Sequence, residues 1–266
     1  MHNCFQINGS EIFQVQRYFI QLSYNGTAYH GWQIQENTFT TVQQVLNDML
    51  SRLLNEPVFI TGCGRTDTGV HALQYFAHFD TTKKLMEEHQ KWVFKFNNAL
   101  PPDIAIQKII PVADKANARF DAVARTYEYH IHFKKDPFLI NRSSYLYFEL
   151  DVTKMNEAAA TLFNYLDFSS FAKSNTQNFT NNCKIYKAEW KSEGDRLIFT
   201  IAADRFLRNM VRAIVGTLIN VGKGKISVQE FQEIIEKKNR SAAGLSVPAC
   251  GLYLTDVTYP KDYFNE

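Results

Sequence analysis

Cysteine is scarce in this chain: among 266 residues there are four, Cys4, Cys63, Cys183 and Cys250, far apart, with no CxxC pair. No histidine stands at metal-ligand spacing beside any of them, so neither a disulfide framework nor a zinc site is expected, and reduced thiols of a cytoplasmic protein fit the pattern. Proline (7) and glycine (12) are too sparse for a collagenous or low-complexity chain. Long apolar runs are missing as well. The longest in a helical pattern, Ala213 to Gly222, is about half of what a bilayer span needs, and the opening residues lack a basic segment before an apolar one, so no membrane or targeting segment is expected. Nor is there a charge excess: 29 Lys and Arg against 27 Asp and Glu leave +2, which by itself argues for no polyanionic partner.

What is present is apolar and aromatic material, 45% and 14% of the residues, enough for the core of one large domain or two of moderate size. After a tail, residues 1–16, Arg17 to Tyr24 reads as a strand. Thr41 opens a helix, with Gln44 three residues on as in a capping box, and Val42, Val45, Leu46, Met49, Leu50, Leu53 and Leu54 keep helical spacing until Pro57. Val58 to Thr61 and Leu73 to Phe79 read as strands, Glu87 to Leu100 as a helix ended by Pro101-Pro102, and Ile104 to Val112 as a strand. The order is βαββαβ. The second part gives strand Thr126 to Phe133, helix Thr153 to Leu166, a hairpin of Ile185 to Trp190 with Leu197 to Ala203, helices Phe206 to Val221 and Val228 to Lys237, and strand Leu252 to Val257. The expected fold is α+β: two ferredoxin-like halves, residues 17–113 and 114–266, joined near Ala113 to Ala122, with antiparallel sheets flanking a central cleft.

The densest cluster of unusual residues is Gly62-Cys63-Gly64-Arg65-Thr66-Asp67-Thr68-Gly69-Val70-His71, between two strand patterns. It is no phosphate loop, because neither GxGxxG nor GK[ST] is present and no helix pattern follows. Asp67-Thr68-Gly69 is similar to an aspartic-protease triplet, yet Arg65 would disturb a proton-sharing carboxylate pair and no second triplet occurs. Asp67 could simply cap a tight turn and pair with Arg65. An Asp held beside an Arg, in a loop whose glycines let substrate approach the backbone, also suits a nucleophile.

The basic residues are unevenly spread. From Ile201 to Lys225 five bases face one acid, and Arg205, Arg208 and Arg212, at i, i+3, i+7, would share one face of the helix expected from Phe206. A solvated face, a phosphate track and a buried pair with a carboxylate are all open readings of that spacing. Tyr127, Tyr129, Ile131 and Phe133 share one strand face, a core stripe unless a tyrosine stacks on a splayed-out base. His130 and His132 lie opposite with no third ligand in view, so no metal site is expected.

Four segments in order resemble the tRNA pseudouridine synthase A family: Tyr24-Asn25-Gly26-Thr27 through Gly31-Trp32-Gln33, Gly64 to Ala72, Arg125-Thr126-Tyr127-Glu128-Tyr129, and Met210-Val211-Arg212 through Gly216 with Gly251-Leu252-Tyr253-Leu254. The resemblance spans roughly Arg17 to Pro260. It implies isomerisation of uridine to pseudouridine at positions 38, 39 and 40 of the tRNA anticodon stem-loop, without metal or organic cofactor, by a cytoplasmic homodimer. Asp67 would be the nucleophile, with Arg212 or Arg65 orienting it. Tyr127 would stack on the flipped uridine and Leu252 would pack the other side of the pocket. Arg205 and Arg208 would then meet phosphates. The non-enzymatic alternative is an RNA-binding module on the same fold, for which a carboxylate in the cleft would only repel the ligand.

Overall fold

In the computed structural model the described residues are 7–8, 11–12, 14–38, 40–173 and 179–264, so most of the expected tail lies outside them. Within it β1 (Ile7–Asn8) and β2 (Glu11–Ile12) pair as a short hairpin. The first long strand, β3 (Gln16–Tyr24), buries Tyr18, Ile20, Leu22 and Tyr24 on one face, as alternation demands, and Phe19 on the other. Helix α1 (Val42–Leu54) begins where Thr41 accepts the Gln44 N–H at 3.3 Å. The Gln44 side chain turns instead to Asp48 at 2.7 Å, so the box signature yields a simple N-cap. The chain continues through β4 (Thr61–Gly62), β5 (His71–Thr81), α2 (His89–Ala99) and β6 (Ile104–Pro111).

The second part contributes β7 (Ala124–His132), β8 (Ser144–Tyr145), α3 (Val152–Thr161), β9 (Ile185–Glu193), β10 (Arg196–Ala203), α4 (Met210–Gly222), α5 (Val228–Glu236) and β11 (Leu252–Thr258). Ser227 and Glu230 form the complete capping box expected at α5. Where two sheets are expected, the described strands from β3 onward form one. Its order is β6-β3-β5-β11-β7-β10-β9, with β4 on β5 and β8 on β7, mostly antiparallel. The joint is β11, which runs antiparallel to β7 and parallel to β5, pairing Tyr253 with His71. Two apolar cores lie along this sheet. One gathers β3, α1, β5 and β6 side chains with Leu254 and Val257, and the other α3, α4, α5, β7, β9 and β10 side chains with Leu252. Among the described residues no helix is long and apolar enough to cross a membrane.

The helix expected from Phe206 begins four residues later, at Met210. Asp204 folds its carboxylate onto the N–H groups of Lys184 (2.8 Å) and Arg205 (2.7 Å), and Asn209 takes a left-handed φ of 66°, which a helix interior does not admit. Arg205 and Arg208 therefore sit on a loop and share no helix face with Arg212.

Beyond β11 the chain folds back over the outer face of β3. The Phe19 ring meets Tyr259 (5.7 Å), Tyr263 (5.9 Å), Phe264 (5.7 Å) and His78 (5.7 Å). His78 is buried, its Nδ1 accepts the Ala118 N–H at 3.1 Å, and burial first, then Arg17, lower its pKa to about 4, against the pull of Asp80 and Asp121. A folded-state pKa below the unfolded value means that the unfolded chain takes up the proton first, so this contribution to stability is lost as pH falls from about 6.5 towards about 4. Urea midpoints at pH 7 and pH 5 should differ by less in His78→Gln than in the parent, by about 2 kcal/mol of unfolding free energy. Equal losses would show that His78 does not carry the acid sensitivity.

Candidate active site

Asp67 lies in the loop between β4 and β5, and the first family-like segment, Tyr24 to Gln33, forms the bed beneath it. The Tyr24 hydroxyl bonds Thr66 Oγ1 at 2.8 Å, the Trp32 N–H donates to the Thr66 carbonyl at 3.3 Å, and the Gly69 N–H donates to the Tyr29 carbonyl at 3.3 Å. Tyr75 donates to the Gly64 carbonyl, and its ring stacks on Trp32 at 4.1 Å. Two glycines permit this approach: a Cβ at Gly26 would collide with the Val70 carbonyl, and one at Gly31, whose φ is +85°, with the Thr66 carbonyl. The loop is thus held on a rigid aromatic and backbone platform.

Across from it stand the residues at the start of α4. Arg212 Nη1 lies 3.6 Å from Asp67 Oδ2, and Arg208 Nε lies 3.6 Å from Asp67 Oδ1. The two arginines differ in how they are held. Arg212 is tied at both ends to the segment before β11, its Nε donating to the Val247 carbonyl at 2.7 Å and its carbonyl accepting the Val247 N–H at 3.2 Å. Its side chain is 22% exposed, that of Arg208 58%. Asn209 and Arg240 brace the same segment, donating to Ser246 Oγ at 2.6 and 3.0 Å. Asp67, Thr68, Lys173, Arg208, Asn209, Arg212 and Arg240 line a cleft of about 680 Å³.

Of the expected residues, the structure brings Asp67, Arg208 and Arg212 together. Arg65 is exposed, and among the described residues the ion partners of Asp67 are Arg208 and Arg212. Arg205 reaches the Thr180 carbonyl at 3.4 Å. Tyr127 is half-buried between the two cores, its ring edge-on to Phe206 at 5.2 Å. Burial, with Cys63 and more weakly Asp67 adding and Arg125 opposing, raises its phenol pKa, so the hydroxyl is neutral and within electrostatic reach of the carboxylate. Leu252 is buried opposite Tyr129. Lys173, Asn209 and Arg240 went unremarked in the sequence. Arg240 follows Lys237 and Lys238 at the end of α5, where a basic residue reads as solvated.

A single carboxylate among guanidinium and ammonium groups suits chemistry on a polyanionic substrate. Comparison with known proteins gives the class: the profile described as tRNA pseudouridine synthase matches residues 21–121 and 158–260. Individual relatives narrow it. The tRNA pseudouridine synthase A of Parabacteroides distasonis is 51% identical over 253 residues, covering 94% of this chain and 98% of the relative. That of Bacteroides fragilis is 51% identical (94% and 99% covered), and that of Neisseria meningitidis serogroup B 39% identical (94% and 94%). The chain belongs to the tRNA pseudouridine synthase A family, isomerases named for their action on tRNA.

The platform beneath Asp67 gives a direct expectation. Gly31→Ala should lower the rate at saturating tRNA by roughly tenfold or more and cost about 1–3 kcal/mol of stability, because the left-handed φ and the Thr66 carbonyl both oppose a Cβ. Single-turnover rates and urea melts of the variant check this; parental values in both would show that the loop tolerates displacement.

Proposed function

We propose that this protein converts uridine to pseudouridine at positions 38, 39 and 40 of the tRNA anticodon stem-loop, with Asp67 as its nucleophile. The observation that carries the reading is the Asp67 carboxylate set between Arg208 and Arg212 in the cleft. In the reaction the N1–C1′ bond breaks, the base turns, C5 bonds to C1′, the C5 proton leaves and N1 takes one up, so the change is redox-neutral. Asp67 acts by adding to C1′ or by assisting sugar deprotonation after glycosidic cleavage. The base is flipped out of its stack to reach it, Tyr127 stacks on it and Leu252 closes the far side. Arg212 orients the carboxylate, and Arg208 and Arg205 meet phosphates. No cofactor is required. Among the described residues no group of three or more His, Cys, Asp or Glu is placed to hold a metal.

The same reading takes residues 17–113 and 114–266 as two ferredoxin-like halves of a βαββαβ pseudo-repeat, supported by the two apolar cores on the one sheet. It also takes the protein as a cytoplasmic homodimer. Phe138 (83% exposed), Ile140 (68%) and Tyr147 (83%) carry apolar surface to solvent on the segment between β7 and α3, as an interface would. A sedimentation mass of a single chain at micromolar concentration would overturn the dimer.

The deciding experiment incubates purified protein with prefolded tRNA, no added cofactor and excess chelator, and maps pseudouridine. Formation at 38 to 40 is expected; modification elsewhere, or a metal requirement after prefolding, overturns the respective part. A non-catalytic RNA binder would give no pseudouridine at all.

A further inference from the structure

Arg125 is a hub that the reaction chemistry does not use. Its guanidinium donates to the carbonyls of Ala122 (2.8 Å), Asp204 (2.9 Å), Cys63 (3.0 Å) and Arg119 (2.5 Å). One half-buried fork thereby draws together three segments: the loop of Asp67, the loop leading to α4 and the connection between β6 and β7. Each segment carries an arginine at its tied carbonyl or within two residues of it, namely Arg119, Arg205 and Arg65. Partial burial and then Arg65, Arg125 and Arg205 hold the Arg119 pKa below its ordinary value, so these guanidinium groups share one electrostatic neighbourhood.

Next to them, Phe120 is 76% exposed, and the Arg119 guanidinium lies 5.4 Å from its ring centroid. This exposed pair is firmly mounted. Asn117 Oδ1 accepts the N–H groups of Arg119 (3.0 Å) and Phe120 (3.1 Å), Asp121 accepts the Asn117 N–H at 2.7 Å, and Tyr259 and Tyr263 donate to Ala118 and Asp121 at 2.6 Å. An apolar ring with no core to join, fixed beside a cluster of like charges, is matched by a ligand that offers both a flat π-face and negative charge. An unpaired nucleotide in RNA offers both.

We propose that Arg119 and Phe120, with Arg65 and Arg205, form a second RNA contact beside the Asp67 cleft, in which an unpaired base stacks on Phe120 and the adjoining phosphates meet the arginines. The contact rests on the reading of tRNA as substrate. It gives Arg65, exposed and outside the ion pairs of Asp67 among the described residues, a task in binding.

The test measures tRNA affinity across a salt series, together with single-turnover pseudouridine formation at saturating tRNA, for Phe120→Leu, Phe120→Trp, Arg119→Gln and Arg119→Lys. Phe120→Leu keeps apolar volume but loses the π-face, and should weaken binding roughly 5- to 100-fold with the saturated rate nearly unchanged; Phe120→Trp should restore affinity. Arg119→Gln should flatten the salt dependence by about 0.7–0.9 of a unit, and Arg119→Lys should recover that slope. The hydrogen bonds of both residues in this turn are made by their backbone, so the substitutions leave the turn intact. A parent that forms no pseudouridine in tRNA defeats the underlying reading. An active parent with both Phe120 variants and Arg119→Gln binding at parental affinity and slope overturns this inference alone. A change of sedimentation mass in Phe120→Leu with tRNA affinity unchanged makes the patch a protein contact and overturns it equally.

Discussion

Asp67→Asn is expected to bind tRNA at least as tightly as the parent and to form pseudouridine at least about 10⁴-fold more slowly, the scale on which a reaction falls when its covalent or proton-transferring group is removed. The amide keeps the side chain's volume and some of its polar contacts, so the platform of Tyr24, Thr66 and Trp32 has no reason to shift. What changes is charge. With Arg208 and Arg212 each 3.6 Å from a carboxylate oxygen, replacing that carboxylate leaves two guanidinium groups turned towards the cleft, which favours a polyanion. The two measurements thus move in opposite directions, and together they separate an enzyme from a binding module. Asp67→Glu should be nearly as slow, since one methylene displaces the carboxylate by more than a reacting geometry tolerates. An Asp67→Asn protein retaining even a tenth of the parental single-turnover rate would remove Asp67 from the mechanism.

The elements themselves were largely legible. The apolar spacing of Val42 to Leu54 and the capping box at Ser227 mark α1 and α5 in the sequence to within a residue, because local periodicity and local capping are what make those helices. The joining of the two expected halves into one sheet was not. It depends on Tyr253 and Leu254 pairing with His71 and Ala72, and no local pattern in either segment names its partner across so long a stretch of chain. The same limit governs the site. Asp67 stands out by the company it keeps in sequence, but Arg240 and Asn209 come to the cleft through Ser246, on a segment with no chemistry-bearing residue of its own. The start of α4 misled for a different reason. Phe206 and Met210 keep helical spacing by accident of a loop, and the left-handed Asn209 between them is visible only as backbone. That error put Arg205, Arg208 and Arg212 on one face, whereas the loop delivers Arg208 to Asp67 from a different direction than the helix delivers Arg212.

Those two directions should have different kinetic consequences. Arg212 is clasped by Val247 through both its Nε and its carbonyl and is largely shielded, so its guanidinium meets Asp67 in a fixed orientation. Arg212→Ala is expected to lower the saturated single-turnover rate about 10²-fold, the usual scale for removing one preorganised electrostatic partner from a reacting centre, while tRNA affinity falls much less. Arg208 is more than half exposed; besides its ion pair with Asp67, its hydrogen bond among the described residues is at the backbone, where the Lys173 N–H donates to its carbonyl at 3.0 Å. Its attraction to Asp67 is screened by water, and a phosphate competes for it readily. Arg208→Ala should therefore weaken binding at low salt and reduce the salt dependence by roughly one unit of slope, with the saturated rate changed by less than about tenfold. Arg212→Lys gives the finer test: an ammonium keeps the charge but cannot both donate to Val247 and face Asp67 as the planar fork does, so only part of the rate should return. If Arg208→Ala and Arg212→Ala share one profile of rate and salt dependence, the start of α4 is a general basic rim, and the assignment of Arg212 to orienting Asp67 is wrong.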